Sequence, residues 1–189
     1  MEEKQIELLN KIRSMHEKVS QLEIDYFKAF SFFGNWQFWI VILMLVVPLI
    51  VLFLFIDKDK MLLLGFFGLN YHIWFAYTNV IQIDLGYINY PYHSFPLLTA
   101  FSLDASLVPV CFMLLYQWTL NHKKNFYLYQ LLLSVVLAFI LKPIMVQLHL
   151  FQMHNGLSYF QLLIAYVVLF VVSKLITNLF LWLQQKNNT

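Results

Sequence analysis

Residues 38–56 read FWIVILMLVVPLIVLFLFI, a run without a single Asp, Glu, Lys or Arg. At about 1.5 Å per residue, a helix of this length matches the roughly 30 Å hydrocarbon core of a bilayer. The run is therefore expected to span a membrane, and composition extends that reading to the whole 189-residue chain. Hydrophobic residues make up 61% of it and charged residues 12%, whereas a soluble domain has roughly 45–50% and about a quarter. A fully solvated surface cannot be built from this material. The net charge of +2, with no basic stripe, gives no case for nucleic acid as a partner. The lone Cys111 excludes an intramolecular disulfide and any CxxC redox or zinc motif.

The charged run Asp57-Lys58-Asp59-Lys60 ends this first span, and a second charge-free stretch over 61–83 carries Asn70, His72 and Asn79. A third span over about 97–118 is apolar except for Asp104, and Asn121-His122-Lys123-Lys124-Asn125 closes it. The fourth, about 126–149, carries Lys142, and the fifth, about 157–183, carries Lys174. The expected fold is all-α: a polytopic membrane domain over 37–183 with five transmembrane helices, preceded by one amphipathic helix within 1–36 and followed by a polar tail, 184–189. The first 30 residues are mostly polar and the apolar run after them is too long for a cleaved signal, so that run reads as an uncleaved anchor in a cell membrane. Lys58, Lys60, Lys123, Lys124 and Lys186 fall on one face, while the loops 84–96 and 150–156 have no Lys or Arg. The positive-inside rule then puts the C-terminus in the cytoplasm and the N-terminus outside. The sequon Asn187-Asn188-Thr189 falls on the inner side and reads as accidental.

In the N-terminal segment Leu8, Ile12, Met15, Val19, Leu22 and Tyr26 step by alternating fours and threes. That spacing makes a helix with one apolar stripe. Ile12, Val19 and Tyr26 at heptad a, with Leu8, Met15 and Leu22 at d, suit a parallel homodimer or a partner helix over residues 8–26. An amphipathic helix on the membrane surface fits the same pattern.

Ionisable residues inside spans are expensive, at least about 2.5–3.5 kcal/mol each, and normally face the bundle with a partner. Asp104 and Lys142 each lie seven residues inward from the same face, about 10 Å deep, on antiparallel neighbours. A buried Asp104–Lys142 ion pair is expected, as a helix-orienting device or, with His72, as part of a ligand pocket or polar path. Asn70 and Asn79 are further intramembrane polar candidates, and Lys174 can snorkel to the inner interface. Pro48, Pro109 and Pro143 interrupt spans and encourage kinks. On the outer face Asp84, Asn89, Tyr90, His93, His149 and His154 form a candidate loop site. Their donor types would suit a metal, but the spacing, with His149 and His154 five apart, misses a ligating register, so neither metal nor cofactor is expected.

The strings Gly86…Tyr90-Pro91-Tyr92…Pro96, Asp104-Ala105-Ser106…Pro109-Val110…Met113-Leu114…Tyr116-Gln117 and Ala138-Phe139-Ile140…Pro143-Ile144 resemble an uncharacterised family of small five-helix integral membrane proteins of endospore-forming Bacillota. The resemblance covers most of 36–180 and implies a bacterial membrane location and five helices, with no reaction. The family commonly has Trp and an acid where this chain has Ile88 and Asn89, and an acid where Lys142 stands. An acid–acid arrangement there becomes acid–base here. Catalytic motifs such as GxSxG, HExxH, P-loop and GxGxxG are absent from the sequence. Three function classes follow: a non-enzymatic sensor or accessory subunit, favoured by the patterned N-terminal helix; a small transporter or channel subunit using Asp104, Lys142 and His72; and a membrane enzyme acting on a lipid or isoprenoid.

Overall fold

The computed structural model describes residues 2–186 of the chain. The sequon at 187–189 lies outside them. The described chain folds as α1 (Glu3–Phe30), α2 (Trp36–Phe55), α3 (Met61–Asp84), β1 (Ile88–Asn89), α4 (Leu103–Asn121), α5 (Phe126–Gln147), β2 (Gln152–Met153) and α6 (Tyr159–Lys186). By length and composition, α2, α4, α5 and α6 are able to cross a membrane. The expected second span forms as α3 but falls short of the other four in hydropathy, because Asn70, His72, Thr78, Asn79 and Gln82 dilute it. Its position explains the tolerance: α3 packs against both α4 and α6 and buries Leu64, Phe67, Gly68, Tyr71, Phe75 and Asn79 between them. The third span also starts later than expected. Residues 95–101 form successive turns, with Leu98 donating to the Phe95 carbonyl and Phe101 to that of Leu98, and the helix is entered only at the end of them.

Two proline positions shape the interior. In an α-helix each N–H returns to the carbonyl four residues back, and a proline has no N–H and crowds that carbonyl. Ahead of Pro109 and Pro143 the chain relieves the crowding with one π-helical turn each, at Leu103–Leu107 and Leu137–Leu141. The N–H of Val108 reaches Leu103 and that of Lys142 reaches Leu137, five residues back rather than four. Such turns occur mostly singly and often at functional sites. Here one contains Asp104 and the other immediately precedes Lys142.

Below these turns the core is aromatic. Tyr71 and Phe112 stack at 4.2 Å between ring centroids, Phe112 faces Phe170 at 6.2 Å, and Phe67, Tyr116 and Phe126 meet edge to face at 4.8–5.7 Å. At the far end Gln117 fastens the α2–α3 link: its amide accepts from the Asp57 N–H and donates to the Phe55 carbonyl, each at 2.8 Å. Within the α4 π turn, the Ser106 hydroxyl donates to the Leu45 carbonyl at 2.6 Å and holds α4 to α2.

At the end that carries the π turns, the loops 84–96 and 150–156 are zipped together. Ile88 pairs with Met153 and Asn89 with Gln152, and the bridge continues through His154 N–H to the Tyr87 carbonyl at 2.8 Å. The turn from α1 into α2 docks on the first of these loops. Ser31 is buried, donates to the Pro91 carbonyl at 3.2 Å and accepts from the His93 N–H at 3.3 Å. The rest of α1 buries no residue, and Leu8, Ile12, Met15, Val19 and Leu22 are all at least half exposed.

Candidate intramembrane polar site

The site begins with the carbonyl of Asp104. Its usual donor, the Val108 N–H, has been drawn to Leu103, and the next residue is Pro109, which has no N–H. A buried carbonyl without a donor is costly. His72, on α3, fills the gap: its Nδ1–H donates to the Asp104 carbonyl at 2.6 Å. Two helical turns along the same face of α3, Asn79 donates to the Asp104 carboxylate at 2.5 Å. The sequence singled out both α3 residues as polar candidates, and the structure brings both to Asp104. Asn70, the third, only donates to the Phe66 carbonyl of its own helix.

The expected direct ion pair is replaced by a bridged arrangement. Among the described residues, ion pairs within 4 Å join only Arg13 to Glu17 and Lys60 to Asp57. Lys142 is 2% exposed and donates instead to the Tyr90 hydroxyl at 3.1 Å, with its ammonium 3.7 Å from the Phe151 ring centroid and 5.0 Å from that of Tyr90. Asn79 lies beside the Tyr90 phenol as well as on Asp104, so the order across the bundle is Asp104, Asn79, Tyr90, Lys142. The register differs from the expected one because the span-3 helix starts late and because Tyr90 turns inward to take the position facing Lys142. Burial, followed by the charge of Asp104, raises the Tyr90 phenol well above its ordinary pKa, so it stays protonated.

The outer-loop candidates do not form one site. Asn89 donates to His154 Nε2 at 3.3 Å, His149 is exposed at the end of α5, and Asp84 is exposed at the end of α3. Among the described residues no three of His, Cys, Asp and Glu converge as metal ligands. Tyr90 and His93 turn inward instead. Phe151 was not anticipated. It directly precedes β2 in the 150–156 loop and is fully buried. At the opposite end Lys174 does not snorkel outward: it donates to the Tyr116 hydroxyl and stands 4.3 Å from that ring's centroid and 5.1 Å from that of Phe126.

Two cavities of about 290 Å³ each flank the polar chain and share Ile83 and Thr99 in their walls. One lies under α1, between Glu23, Tyr26 and His93. The other runs along α3 to His72, Asn79 and Asp104. In the first, His93 Nε2–H donates to the Tyr90 carbonyl at 2.5 Å and leaves Nδ1 buried without a partner. Burial lowers the His93 pKa, against an opposing effect of its hydrogen bond to Tyr90. Burial and then Asp84 raise the Glu23 carboxyl. A histidine whose pKa is depressed on docking is neutral in both states above its ordinary 6.5 and penalises the docked state as pH falls below that value. Glu23 has the opposite sign: its raised carboxyl favours docking as it takes up a proton toward its ordinary 4.5. Hydrogen exchange in residues 26–33, corrected for intrinsic rates, is expected to speed up as pH drops below 6.5, and His93→Phe is expected to remove that step. An identical step in the variant would assign it to another group.

The chain matches no family model, no curated protein and no solved structure.

Proposed function

We propose that this chain is a multi-pass integral membrane protein that acts as a non-conducting sensor or accessory subunit, with its polar site read from one end of the bundle. The observation that carries this is the closure below the site. Phe67, Tyr71 and Phe112, each with no measurable exposure, fill the bundle between the Asp104 chain and the end that carries Lys123 and Lys124. A transporter or channel needs polar groups or a cavity along the whole path, whereas here the polar chain ends on stacked aromatics. The enzyme reading lacks a second carboxylate beside Asp104. The exposed stripe of α1, docked at one end through Ser31, is the surface through which partner contact would be made, whether with a second copy or another helix.

In this reading α3 crosses as a fifth span sheltered by α4 and α6, and odd parity puts the N-terminus outside and the C-terminus in the cytoplasm. Reporters fused after Lys60 and Lys124 are then expected to read cytoplasmic, and those after His93 and Asn155 external. The reverse pattern would invert the protein. The functional test is reconstitution of the full chain in vesicles with a pH-sensitive interior dye. Proton and potassium leak no greater than in protein-free vesicles is the expected result, and flux that Asp104→Asn abolishes would establish the transport reading instead.

A further inference from the structure

The cavity along α3 has a chemistry of its own. At its floor are Asp104 and His72, and both offer acceptors. One Asp104 carboxylate oxygen is taken by Asn79, and among the described residues no donor reaches the other. His72 donates through Nδ1 to the Asp104 carbonyl, so the neutral ring presents a lone pair at Nε2. Asp104 is 7% exposed, and Lys142, beyond Tyr90, is more than 4 Å from it. A carboxylate oxygen without a donor, on a residue only 7% exposed that lines this cavity, is a site waiting for one.

The walls decide what kind. Val80, Leu97 and Leu98 line the cavity and are each more than half exposed, so in a bilayer they face lipid and the cavity opens sideways into it. A hydrated inorganic cation finds too few ligands here, since no third His, Cys, Asp or Glu joins the two among the described residues. A group with several N–H donors, one positive charge and an apolar chain meets each feature.

We propose that this cavity binds the primary ammonium headgroup of a membrane amphiphile, which enters laterally between α3 and the 97–104 segment and leaves its chain along Val80, Leu97 and Leu98. The proposal rests on the sensor reading above and names what the sensor would sense. Selectivity follows from the donors: a trimethylammonium carries the same charge but has no N–H to give to Asp104 and His72.

The test uses the full chain in detergent micelles, with native mass spectrometry of bound lipid under competition between phosphatidylethanolamine and phosphatidylcholine of matched chains. The expected result is one retained phosphatidylethanolamine per chain, favoured at least tenfold over phosphatidylcholine, with the preference lost in Asp104→Asn. Ethanolamine and dodecylamine are the competing arms: dodecylamine displaces the lipid and ethanolamine does not. Displacement by both at equal concentration would make the site one for a soluble amine and overturn lateral entry. Equal retention of the two lipids, or a preference unchanged in Asp104→Asn, would overturn the proposal. Should Asp104→Asn fail to fold, Ala76→Phe, which fills the cavity from α3 and leaves the carboxylate in place, is expected to lose the lipid, and retention there overturns the proposal equally. Vesicle flux is independent of every one of these outcomes, so failure here leaves the non-conducting reading standing.

Discussion

Phe112→Ala is expected to cost about 3–5 kcal/mol of stability, the scale for emptying a large aromatic site in a core that relaxes only in part. Phe112 has no exposure, stacks on Tyr71 at 4.2 Å and faces Phe170, so three helices lose contacts at once. Inside a bilayer the loss is chiefly of packing, because lipid tails are as apolar as the core and helix association depends on dispersion and close fit. The second consequence is functional. Phe112 stands between the polar chain at Asp104 and the lysine-bearing end, and its removal opens a void in the seal. Vesicles holding Phe112→Ala are expected to leak protons faster than those holding the parent chain, while Phe112→Leu, which keeps most of the volume, should stay close to the parent. A stable, tight Phe112→Ala protein would show that the seal lies elsewhere and would weaken the case against a conducting path.

What was legible in the sequence follows from what a bilayer makes visible. The charge-free runs 38–56 and 61–83 located α2 and α3, and the runs with one lysine each located α5 and α6, to within a few residues, because hydrocarbon disfavours charge over its whole thickness and a water-facing helix of that length does not. Asp104, Lys142 and His72 were expected together, and Asn79 was one of two further polar candidates, for the same reason: a polar atom in that setting is expected to face inward. Pro109 and Pro143 were expected to encourage kinks, and the structure places a π turn ahead of each. Register was not legible. Counting residues inward from Leu97 assumed a helix where the chain makes turns, and so set Asp104 directly against Lys142.

Tyr90 was expected in the outer-face loop site and not beside Lys142, for a different reason. Tyrosines in a loop beside a span are expected at the interface, and a two-residue strand has no periodicity to argue from. One signal was present: Ile88 and Tyr90 flank the polar Asn89, the alternation of a half-buried strand, and both are buried where Asn89 is exposed. The same inward turn explains Phe151, which follows Leu150 into the core at the start of the second loop. A loop with few charges and many aromatics is as consistent with a folded cap as with an interfacial belt, and pairing between two distant loops is what decided it here.

The bridged arrangement of Asp104 and Lys142 makes a prediction that a direct ion pair does not. Removing either charge alone leaves the other buried with poorer compensation, so Asp104→Leu and Lys142→Met are each expected to destabilise, up to about the 3–5 kcal/mol of a broken buried pair. Lys142→Met also deprives the Tyr90 hydroxyl of its donor and the Phe151 ring of its cation. The double variant is expected to recover part of the loss, with a coupling energy between about 0.5 and 3 kcal/mol, as for residues in one network. The distinguishing step is to repeat the cycle with Tyr90→Phe, which keeps the ring and deletes the hydroxyl that accepts from Lys142. If Asp104 and Lys142 communicate through Asn79 and Tyr90, the coupling then falls to within about 0.5 kcal/mol of additivity. If they act by direct contact, it survives. Reversible unfolding in mixed micelles supplies all the free energies, and undiminished coupling in the Tyr90→Phe background would return the site to a simple salt bridge.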